Sequence, residues 1–459
     1  MRKAYDEIKM RKRIWIWGTG GLMNRYVNRI DPGLFLAGFC DSDSQKWEKK
    51  FSGRKLPCQD KALLGEEDSV IIAVESLEAI EAISKELDEK RIDYCHIYEA
   101  VKGYIDDMDN SAPVLEEPII DLDKKLVKYI DCYIPIKECN LRCKYCYIDK
   151  KKGGEKERTF YHSPRFIRAA LSRKRLGGTA LINFCGGGET LLCKELLPVI
   201  RELSCEGHYI SIVTNGTIDS AFDELLKSNV DLKHIFLKFS FHYLELKRLG
   251  ILEKFSRNVI RMRNAGCSIS VEITPSDELE AYIDEIKDFS MKNFGAFPHF
   301  TVARDESVSS FKLLTDHDFE AYKKIWGQFN SPMFDFKLKR VGLRQREYCM
   351  AGVWSLHLNL ETGDLYKCPQ NPWIDNIYEN IARPIFFEEV GNKCCAPYCF
   401  NCHAYLTLGV IDGIESPTYY DTRDREMTNG EHWVTEEMKQ IFQQRLYENN
   451  RECYLQMMD

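Results

Sequence analysis

The sequence predicts an α/β protein built mainly on parallel β-strands. Short apolar runs alternate with helical patterns in two regions, one before about residue 105 and one between about 125 and 330. This alternation predicts parallel strands joined by helical crossovers. The second region carries six strand–helix units, fewer than the eight of a closed barrel. We therefore expect a partial, open (β/α)6 barrel, preceded by a small α/β domain and followed by a cysteine-rich extension.

The chain has 459 residues, which is more than one ordinary domain requires. We expect an α/β domain at 1–105 and an acidic, proline-containing linker at 106–124. The open barrel follows at 125–330, the cysteine-rich domain at 331–415, and a helical tail at 416–459.

Composition is that of a globular protein, with 44% hydrophobic and 29% charged residues. The net charge of −7 and the absence of a basic block argue against nucleic acid as a partner. No apolar run approaches the ~18 residues that span a bilayer, and the first residues lack the apolar core of a signal peptide. We expect the protein to be cytoplasmic. Thiols remain reduced in the cytoplasm. Its 18 cysteines then predict metal or redox chemistry rather than disulfides.

The first region begins with a dinucleotide-type β-α-β pattern. A strand at Arg13–Trp17 is followed by Gly18 and Gly20, a helix from about residue 22 to 30, and a second strand that ends in Asp41. Such glycines let a phosphate approach the helix N-terminus, and the acid can bond a ribose. We expect Gly18, Gly20 and Asp41 to contact a nucleotide. Met23 occupies the third glycine position, and a folded domain without a ligand is the alternative.

Three cysteines with C-x3-C-x2-C spacing follow the apolar run Val127–Ile136. They are Cys139, Cys143 and Cys146. A loop of this length can wrap three thiolates around one face of a four-iron, four-sulfur cube. Such cubes normally take four cysteines, so the missing ligand leaves one iron open to a small molecule. A zinc knuckle is the alternative, although it prefers C-x2-C pairs and four protein ligands.

Glycines and polar residues follow the other strands of the second region. Further strands are predicted at Ser69–Val74 and His96–Tyr98 in the first region, and at Ala180–Phe184, His208–Val213, Ile235–Phe239, Cys267–Ile273 and His299–Ala303 in the second. Parallel α/β folds place their chemistry where strands end. The residues that follow these strands include Gly187, Gly188, Glu189, Asn215 and Ser240. Glu272 lies just before the end of its strand. A glycine turn, or a capping role for the lone Asn and Ser, is the alternative.

The cysteine loop, with Asn-Leu-Arg in its first gap and an aromatic residue before its third cysteine, resembles the radical S-adenosylmethionine (radical SAM) superfamily. The Gly187-Gly188-Glu189 segment strengthens the resemblance, which covers about residues 125 to 405. It implies that the open iron binds the amino and carboxylate groups of SAM. One electron, from a donor such as flavodoxin or ferredoxin, then splits SAM to a 5′-deoxyadenosyl radical that abstracts hydrogen from a substrate C–H bond.

The resemblance also implies a set of SAM contacts. The Gly187-Gly188-Glu189 segment would contact the methionine amino group. A glycine backbone allows close approach, and a carboxylate accepts hydrogen bonds from an ammonium. The ribose or methionine end of SAM would be held by Asn215, Ser240 and Glu272. Tyr145 would lie near the adenine.

Cysteines return after the barrel region, around a predicted hairpin. Cys349 precedes a strand at Ser355–Leu360, a turn at Gly363 and a second strand that ends in Cys368. This pattern, with the cysteines that follow, resembles the SPASM and Twitch extensions of radical SAM enzymes, which carry auxiliary iron–sulfur clusters. Six cysteines fall short of the seven of a two-cluster module, so one auxiliary 4Fe–4S cluster is expected. Its ligands would be Cys349, Cys368, Cys399 and Cys402, with Cys395 or Cys394 as substitutes. Structural zinc at the same thiolates is the alternative.

The substrate has two competing interpretations. The first domain resembles the Rossmann-like domains found ahead of sugar-modifying transferases, which favours a sugar, polyol or nucleotide-linked substrate in surface-glycan metabolism. The SPASM-like extension instead favours a peptide-modifying enzyme that forms cross-links or epimerises. A non-catalytic zinc-binding scaffold is a third hypothesis. Candidates for hydrogen-atom donation or substrate binding are Cys185, Cys267, His242 and Arg304. For Cys267, small apolar packing is the alternative.

Overall fold

A computed structural model gives the fold. It describes residues 3, 5–11, 13–20, 23, 27, 30, 34–48, 58–74, 76–101, 124–134, 136, 138–146, 160, 162–305, 312–343, 347–369, 371–387, 399 and 402–450, without the side chains of 371, 372 and 402. The chain divides into two compact units. The first comprises Met1–Pro113 with Tyr161–Phe166, and the second comprises Val114–Phe160 with Ile167–Asp459.

The described part of the first unit contains a five-stranded parallel sheet in the order β3-β2-β1-β4-β5. Its strands are β1 (Ile14–Trp17), β2 (Leu36–Asp41), β3 (Cys58–Asp60), β4 (Ser69–Ile72) and β5 (Asp93–His96), with helices α1 (Tyr5–Lys9) and α2 (Leu77–Glu89). All four residues of β1 are buried, as expected for a central strand covered on both faces. The predicted helix at 22–30 lies almost entirely outside the described residues.

The last strand of this sheet starts earlier than the sequence predicts. The strand is Asp93–His96, whereas His96–Tyr98 was the predicted segment. Its four residues pair one to one with Ser69–Ile72, and this register places Tyr94 and Cys95 in the interior. The expectation is corrected because strand pairing, which a short apolar run does not reveal, decides where β5 lies.

The described part of the second unit contains a nine-stranded sheet in the order β11-β10-β9-β8-β7-β6-β12-β13-β14. Its strands are β6 (Leu126–Ile134), β7 (Thr179–Gly186), β8 (Tyr209–Thr214), β9 (Ile235–Ser240), β10 (Ser268–Ile273), β11 (His299–Phe300), β12 (Ser355–Asn359), β13 (Asp364–Cys368) and β14 (Asn371–Asn376). Strands β6 to β11 are parallel and lie side by side in sequence order. The predicted α/β class with a parallel sheet is therefore confirmed.

The remaining described helices mostly connect these strands. They are α3 (Pro164–Ala170), α4 (Arg173–Leu176), α5 (Leu196–Cys205), α6 (Asp219–Lys227), α7 (Tyr243–Arg248), α8 (Leu252–Asn264), α9 (Ile283–Phe294), α10 (Phe319–Gly327), α11 (Pro332–Arg340), α12 (Cys402–Thr407), α13 (Glu436–Phe442) and α14 (Leu446–Asn449). Helices α3 and α4 are separate because Ser172, with a ψ of 148°, is not helical. None of the described helices is long and apolar enough to cross a membrane.

The cysteine-bearing hairpin continues the same sheet. Strand β12 pairs in parallel with β6, and β13 pairs antiparallel with both β12 and β14. The turn requires Gly363, whose φ is 75°. A Cβ at this position would lie 2.4 Å from Cδ2 of Tyr378. The hairpin is thus joined directly to the strand that precedes the cysteine loop.

The tail at 416–450, which the sequence left without a role, packs against the amino ends of the parallel strands. The Ile269 amide donates to the Trp433 carbonyl at 3.0 Å, and the Leu126 amide donates to Gln444 Oε1 at 2.8 Å. Phe442 packs edge-on against Phe236 of β9, with 4.9 Å between ring centroids. The tail therefore forms part of the core under the sheet.

We predict that Trp433→Ala destabilises the second unit by about 3–5 kcal/mol, the usual cost of truncating a buried Trp or Phe. Trp433 is fully buried and its indole N–H donates to the Phe294 carbonyl at 3.1 Å. Thermal unfolding followed by near-ultraviolet circular dichroism should show a clearly lower Tm. Phe386→Ala is the control, because Phe386 is 65% exposed. Equal Tm values for the two variants would contradict the structural role of the tail.

Candidate active site at the cysteine loop

The cysteine loop lies at the carboxyl end of β6. Cys139, Cys143 and Cys146 are all partly exposed, and the Cys146 amide donates to the Cys143 carbonyl at 3.3 Å. Three soft thiolate donors on one loop suit an iron–sulfur cluster. Among the described residues, no three His, Cys, Asp or Glu side chains converge as the ligands of a single ion do. A cube binds each thiolate through a different iron, so its ligands need no such convergence.

A ring of hydrogen bonds joins this loop to the segment after β8. Asn215 Nδ2 donates to Asn140 Oδ1 at 2.8 Å and lies 3.9 Å from Cys139 Sγ. Asn140 Nδ2 donates to Thr217 Oγ1 at 2.7 Å, and the Thr217 hydroxyl donates to Asn215 Oδ1 at 2.6 Å. Asn215 therefore positions the first cysteine. Its predicted contact with SAM stays a prediction.

Glu189 joins the end of β7 to the end of β8. Glu189 is only 3% exposed. Its carboxylate accepts hydrogen bonds from the Thr214 hydroxyl at 2.6 Å, the Asn215 amide at 2.7 Å and the Leu191 amide at 3.1 Å. The Glu189 amide in turn donates to the Glu138 carbonyl at 2.8 Å, next to the first cysteine. Burial raises the pKa of Glu189, and the three hydrogen bonds oppose that rise. Its predicted contact with the SAM ammonium stays a prediction.

The glycines before Glu189 allow the chain from β6 to pass over the end of β7. A Cβ on Gly187 would lie 2.6 Å from Tyr133 Oη and 3.0 Å from the Ile136 carbonyl oxygen. A Cβ on Gly186 would lie 2.7 Å from Ile136 Cγ2. Any side chain at these positions would displace the segment that leads into the cysteine loop.

Two side chains near α7 also reach the loop. Glu245 Oε1 accepts from the Arg142 amide at 2.8 Å, and His242 Nδ1 shares a 2.7 Å hydrogen bond with the Tyr145 hydroxyl. His242, a candidate for substrate chemistry, is thus engaged with the loop itself. Sequence reasoning missed Glu245, whose only signal was its place on a helical turn directly after a strand end.

A row of polar side chains crosses the sheet from β8 through β7 and β6 to β12. Asn183 Nδ2 donates to Asp131 Oδ1 at 2.9 Å, and the Ser211 hydroxyl donates to Asn183 Oδ1 at 2.9 Å. His357 of β12 pairs in register with Asp131, with 3.4 Å between Nδ1 and Oδ2. Burial disfavours the charged form of Asp131, but His357, Asn183 and Lys238 outweigh it and lower its pKa. The available signal was one polar residue at matching positions of β6, β7 and β8.

Glu272 and Ser240 lie opposite each other at the ends of β10 and β9. Glu272 forms an ion pair with Arg423, a fully buried residue of the tail. Burial alone would raise the pKa of Glu272, but Arg423 and Lys238 hold it below its usual value. The predicted SAM contacts of Glu272 and Ser240 stay predictions, and the partner Arg423 was not foreseen.

The candidate cysteines of the core differ in position. Cys185 is partly exposed near the carboxyl end of β7, and burial followed by the Asp131 charge raises its pKa to about 11. Cys267 is fully buried beside the amino end of β10, opposite to the cysteine loop, and burial raises its pKa to about 12. This position favours small apolar packing, and the radical-quenching role of Cys267 stays a prediction. Arg304 follows β11, in an antiparallel bridge with Leu313.

Three C-terminal cysteines lie near Tyr405. Cys349 belongs to the same buried cluster as Tyr405, and Cys368 and Cys399 pack against that cluster. Burial, then Asp131 and these three thiols, raise the pKa of Tyr405. Their donor chemistry suits either an iron–sulfur cluster or zinc. The side chain of Cys402, and the whole of Cys394 and Cys395, lie outside the described residues.

A separate cavity of about 440 Å³ lies in the first unit, at the carboxyl ends of its central strands. Gly18, Gly20, Asp41 and Lys46 line it. Asp41 Oδ2 accepts from the Thr19 amide at 2.9 Å, from the Thr19 hydroxyl at 2.7 Å and from Lys46 Nζ at 3.0 Å. Burial opposes ionisation of Asp41, but these hydrogen bonds hold its pKa below its usual value. The three predicted nucleotide contacts therefore lie around one cavity.

Comparison with known proteins identifies the segment around the loop. Residues 133–289 match the model of the radical SAM superfamily. A 91-residue stretch, 20% of this chain, is 36% identical to a probable GTP 3′,8-cyclase of Pyrococcus horikoshii and covers 28% of that protein. A 109-residue stretch, 23% of this chain, is 30% identical to the tungsten-containing aldehyde ferredoxin oxidoreductase cofactor-modifying protein of Pyrococcus furiosus and covers 29% of it. The matches thus span less than a third of each relative.

Two solved structures show a more distant likeness. Streptococcus suis SuiB bound to S-adenosylmethionine is 16% identical, with a TM-score of 0.39 over 66% of this chain and 75% of that one. Native anSMEcpe with bound AdoMet is 13% identical, with a TM-score of 0.39 over 72% of this chain and 98% of that one. The family match contains the cysteine loop and the Gly187-Gly188-Glu189 segment. Residues 133–289 are therefore a radical SAM domain.

Proposed function

We propose that this protein is a radical SAM enzyme in which Cys139, Cys143 and Cys146 bind a 4Fe–4S cluster whose open iron binds SAM. The observation that carries the proposal is the cysteine loop within the matched segment. The backbone after β7 and the side chains of Asn215 and Glu245 hold this loop in place. When bound, the cluster and SAM supply the one-electron cleavage that starts hydrogen abstraction from a substrate. Flavodoxin or ferredoxin is the class of electron donor we propose.

The chain itself orients the reactants and excludes water. Asn215 and Glu189 fix the start of the loop relative to β7 and β8. The polar strand ends that include Ser240 and Glu272 are the surface we propose for SAM, because parallel sheets bind ligands at their carboxyl ends. Cys185 lies near that same end and is partly exposed. It is the residue that we propose for hydrogen-atom donation to a substrate.

We further propose that Cys349, Cys368, Cys399 and Cys402 bind an auxiliary 4Fe–4S cluster in a SPASM- or Twitch-like extension. The grouping of the first three around Tyr405 supports this ligand set. Strand β12 of the extension pairs with β6 and places His357 beside Asp131. The extension is thus continuous with the sheet that carries the cysteine loop. We propose that the auxiliary cluster passes an electron to or from a substrate bound there.

For the substrate, we propose a nucleotide-linked small molecule such as an activated sugar. The support comes from the first unit, where the cavity lies at the point at which the order β3-β2-β1-β4-β5 changes direction. Rossmann-like sheets bind nucleotides at that point. Lys46 also lines the cavity, where it forms an ion pair with Asp41. Peptide modification is the alternative, and a peptide substrate would leave this cavity without a role.

The first experiment tests the reaction class. Anaerobically reconstituted and reduced protein should release 5′-deoxyadenosine from SAM, and Cys143→Ala should lose this release because one iron loses its ligand. Chromatographic quantification of 5′-deoxyadenosine provides the measurement. Cys205→Ala, which changes a partly exposed cysteine of α5, is the control and should retain release. A colourless wild-type protein that binds zinc and cleaves no SAM would favour the scaffold hypothesis instead.

A further prediction concerns Gly187. Gly187→Ala should lower the iron content per chain at least severalfold, because the new methyl group pushes the Tyr133 hydroxyl and the Ile136 carbonyl away from the end of β7. Iron and sulfide assays after reconstitution measure this effect. The matched control is Gly327→Ala at the end of α10, where a Cβ meets no atom within 4 Å. Normal iron loading in Gly187→Ala would refute the role given to this close approach.

Metal analysis of the extension distinguishes an iron–sulfur cluster from zinc. With two cubes, wild-type protein should contain about eight irons per chain, and Cys349→Ser should contain about four. If the extension binds zinc, wild-type protein should contain about four irons and one zinc, and Cys349→Ser should lose only the zinc. Elemental analysis by inductively coupled plasma mass spectrometry distinguishes these results, and the zinc result would overturn the auxiliary cluster.

A further inference from the structure

Lys238 is a buried positive charge near the carboxyl end of β9. It lies two residues before Ser240, where the strand ends. Lys238 is 8% exposed, and no described residue forms a hydrogen bond or an ion pair with its ammonium group. A buried ammonium is costly unless an anion or several acceptors satisfy it. This position therefore calls for a negatively charged partner.

Two carboxylates of the same sheet are candidates for that partner, but each has a partner of its own. Glu272 forms an ion pair with Arg423. Asp131 accepts from Asn183 Nδ2 at 2.9 Å, and its Oδ2 lies 3.4 Å from His357 Nδ1. Within the described part of the chain, neither carboxylate comes within ion-pair distance of the ammonium on β9. The missing anion is therefore expected to come from a ligand.

Lys238 lies on the face of the sheet that carries Asn183. Asn183 pairs in register with Ser211, and Ser211 pairs in register with Phe236. Paired residues of neighbouring parallel strands share a face, and so do residues two apart on one strand. Lys238 follows Phe236 by two residues, and Cys185 follows Asn183 by two. Both therefore belong to this side of the sheet, which we call the Asn183 face.

The Asn183 face is partly open near the carboxyl ends of its strands. Tyr133, Cys185 and Ser240, which occupy this end of the face, are all partly exposed. Tyr209 and Phe236, which lie on the same face nearer the amino ends, are fully buried. A ligand would therefore approach Lys238 from the end of the sheet that carries the cysteine loop.

We propose that Lys238 binds an anionic group of the substrate, a phosphate or a carboxylate, on the Asn183 face. The inference rests on the proposed function and names the group by which the substrate is held. An activated sugar carries such a group in its diphosphate, and a lysine ammonium is a common phosphate ligand. Fixing one charged end of a substrate restricts where its other end lies. Lys238 is thus a substrate-binding residue that positions the reacting carbon.

The test compares alkylation of Cys185 by iodoacetate, which is an anion, and by iodoacetamide, its neutral analogue. Each reagent is added anaerobically to reconstituted protein, and peptide mass spectrometry measures the rate at each cysteine. The ratio of the two rates cancels the intrinsic reactivity of the thiol. Lys238→Met should lower this ratio at Cys185 about tenfold, because it removes a unit charge two strands, or roughly 10 Å, away.

Two variants and one internal reference control this measurement. Lys233→Met is the matched control, because Lys233 is exposed just before the amino end of β9 and should not affect the ratio. Lys238→Arg keeps the charge and should retain a ratio close to that of wild type. Cys205, a partly exposed cysteine of α5, is the reference, and its ratio should be the same in all variants.

Wild-type protein provides a second measurement that needs no substitution and stands even if Lys238→Met does not fold. At constant ionic strength, inorganic phosphate or acetate should slow the reaction of Cys185 with iodoacetate but leave Cys205 unaffected. Stronger protection by phosphate would assign a phosphate group to the site. Stronger protection by acetate would assign a carboxylate.

Three results would overturn the inference: a wild-type ratio in folded Lys238→Met, no protection of Cys185 by either anion, or no reaction of Cys185 with either reagent. Alkylation requires no turnover, so each of these results leaves the proposed function intact. Failure of wild-type protein to release 5′-deoxyadenosine from SAM would instead overturn the proposed function.

Discussion

The buried carboxylate of Glu189 is the interaction on which the geometry of the site depends. A buried carboxylate is costly unless donors satisfy its oxygens, and Thr214, Asn215 and Leu191 supply three. These bonds set the distance between the ends of β7 and β8. From Asn215 the constraint continues to Asn140, next to the first cysteine. A fully satisfied polar network of this kind holds one arrangement rather than several.

The two ends of the parallel sheet serve different purposes. At the carboxyl end, glycines and polar side chains surround the cysteine loop, and Cys185 is partly exposed. At the amino end, the tail packs Trp433 and Phe442 into the core and covers the strand starts. Arg423 links the ends, because it comes from the tail and pairs with Glu272. The tail thus supports the site as well as the fold.

The sequence predicts strands well where they are buried on both faces. It predicts them poorly where pairing with a neighbouring strand decides the position of the strand. The apolar runs of β6 to β10 are found within a few residues of their predicted bounds, because burial leaves a continuous apolar signature. Strands β3 and β14 escaped prediction. Each lies at the edge of its sheet, and β3 has only three residues.

The sequence by itself determined the cysteine spacing, the glycines that allow close backbone approach and the order of strands and helices. These features depend on neighbouring residues, so local patterns record them. Only the tertiary structure decided which groups meet at the loop. Glu245 contacts Arg142 across 103 residues, and Arg423 reaches Glu272 across 151. Such contacts depend on the register and packing of the whole sheet, which no short stretch of sequence specifies.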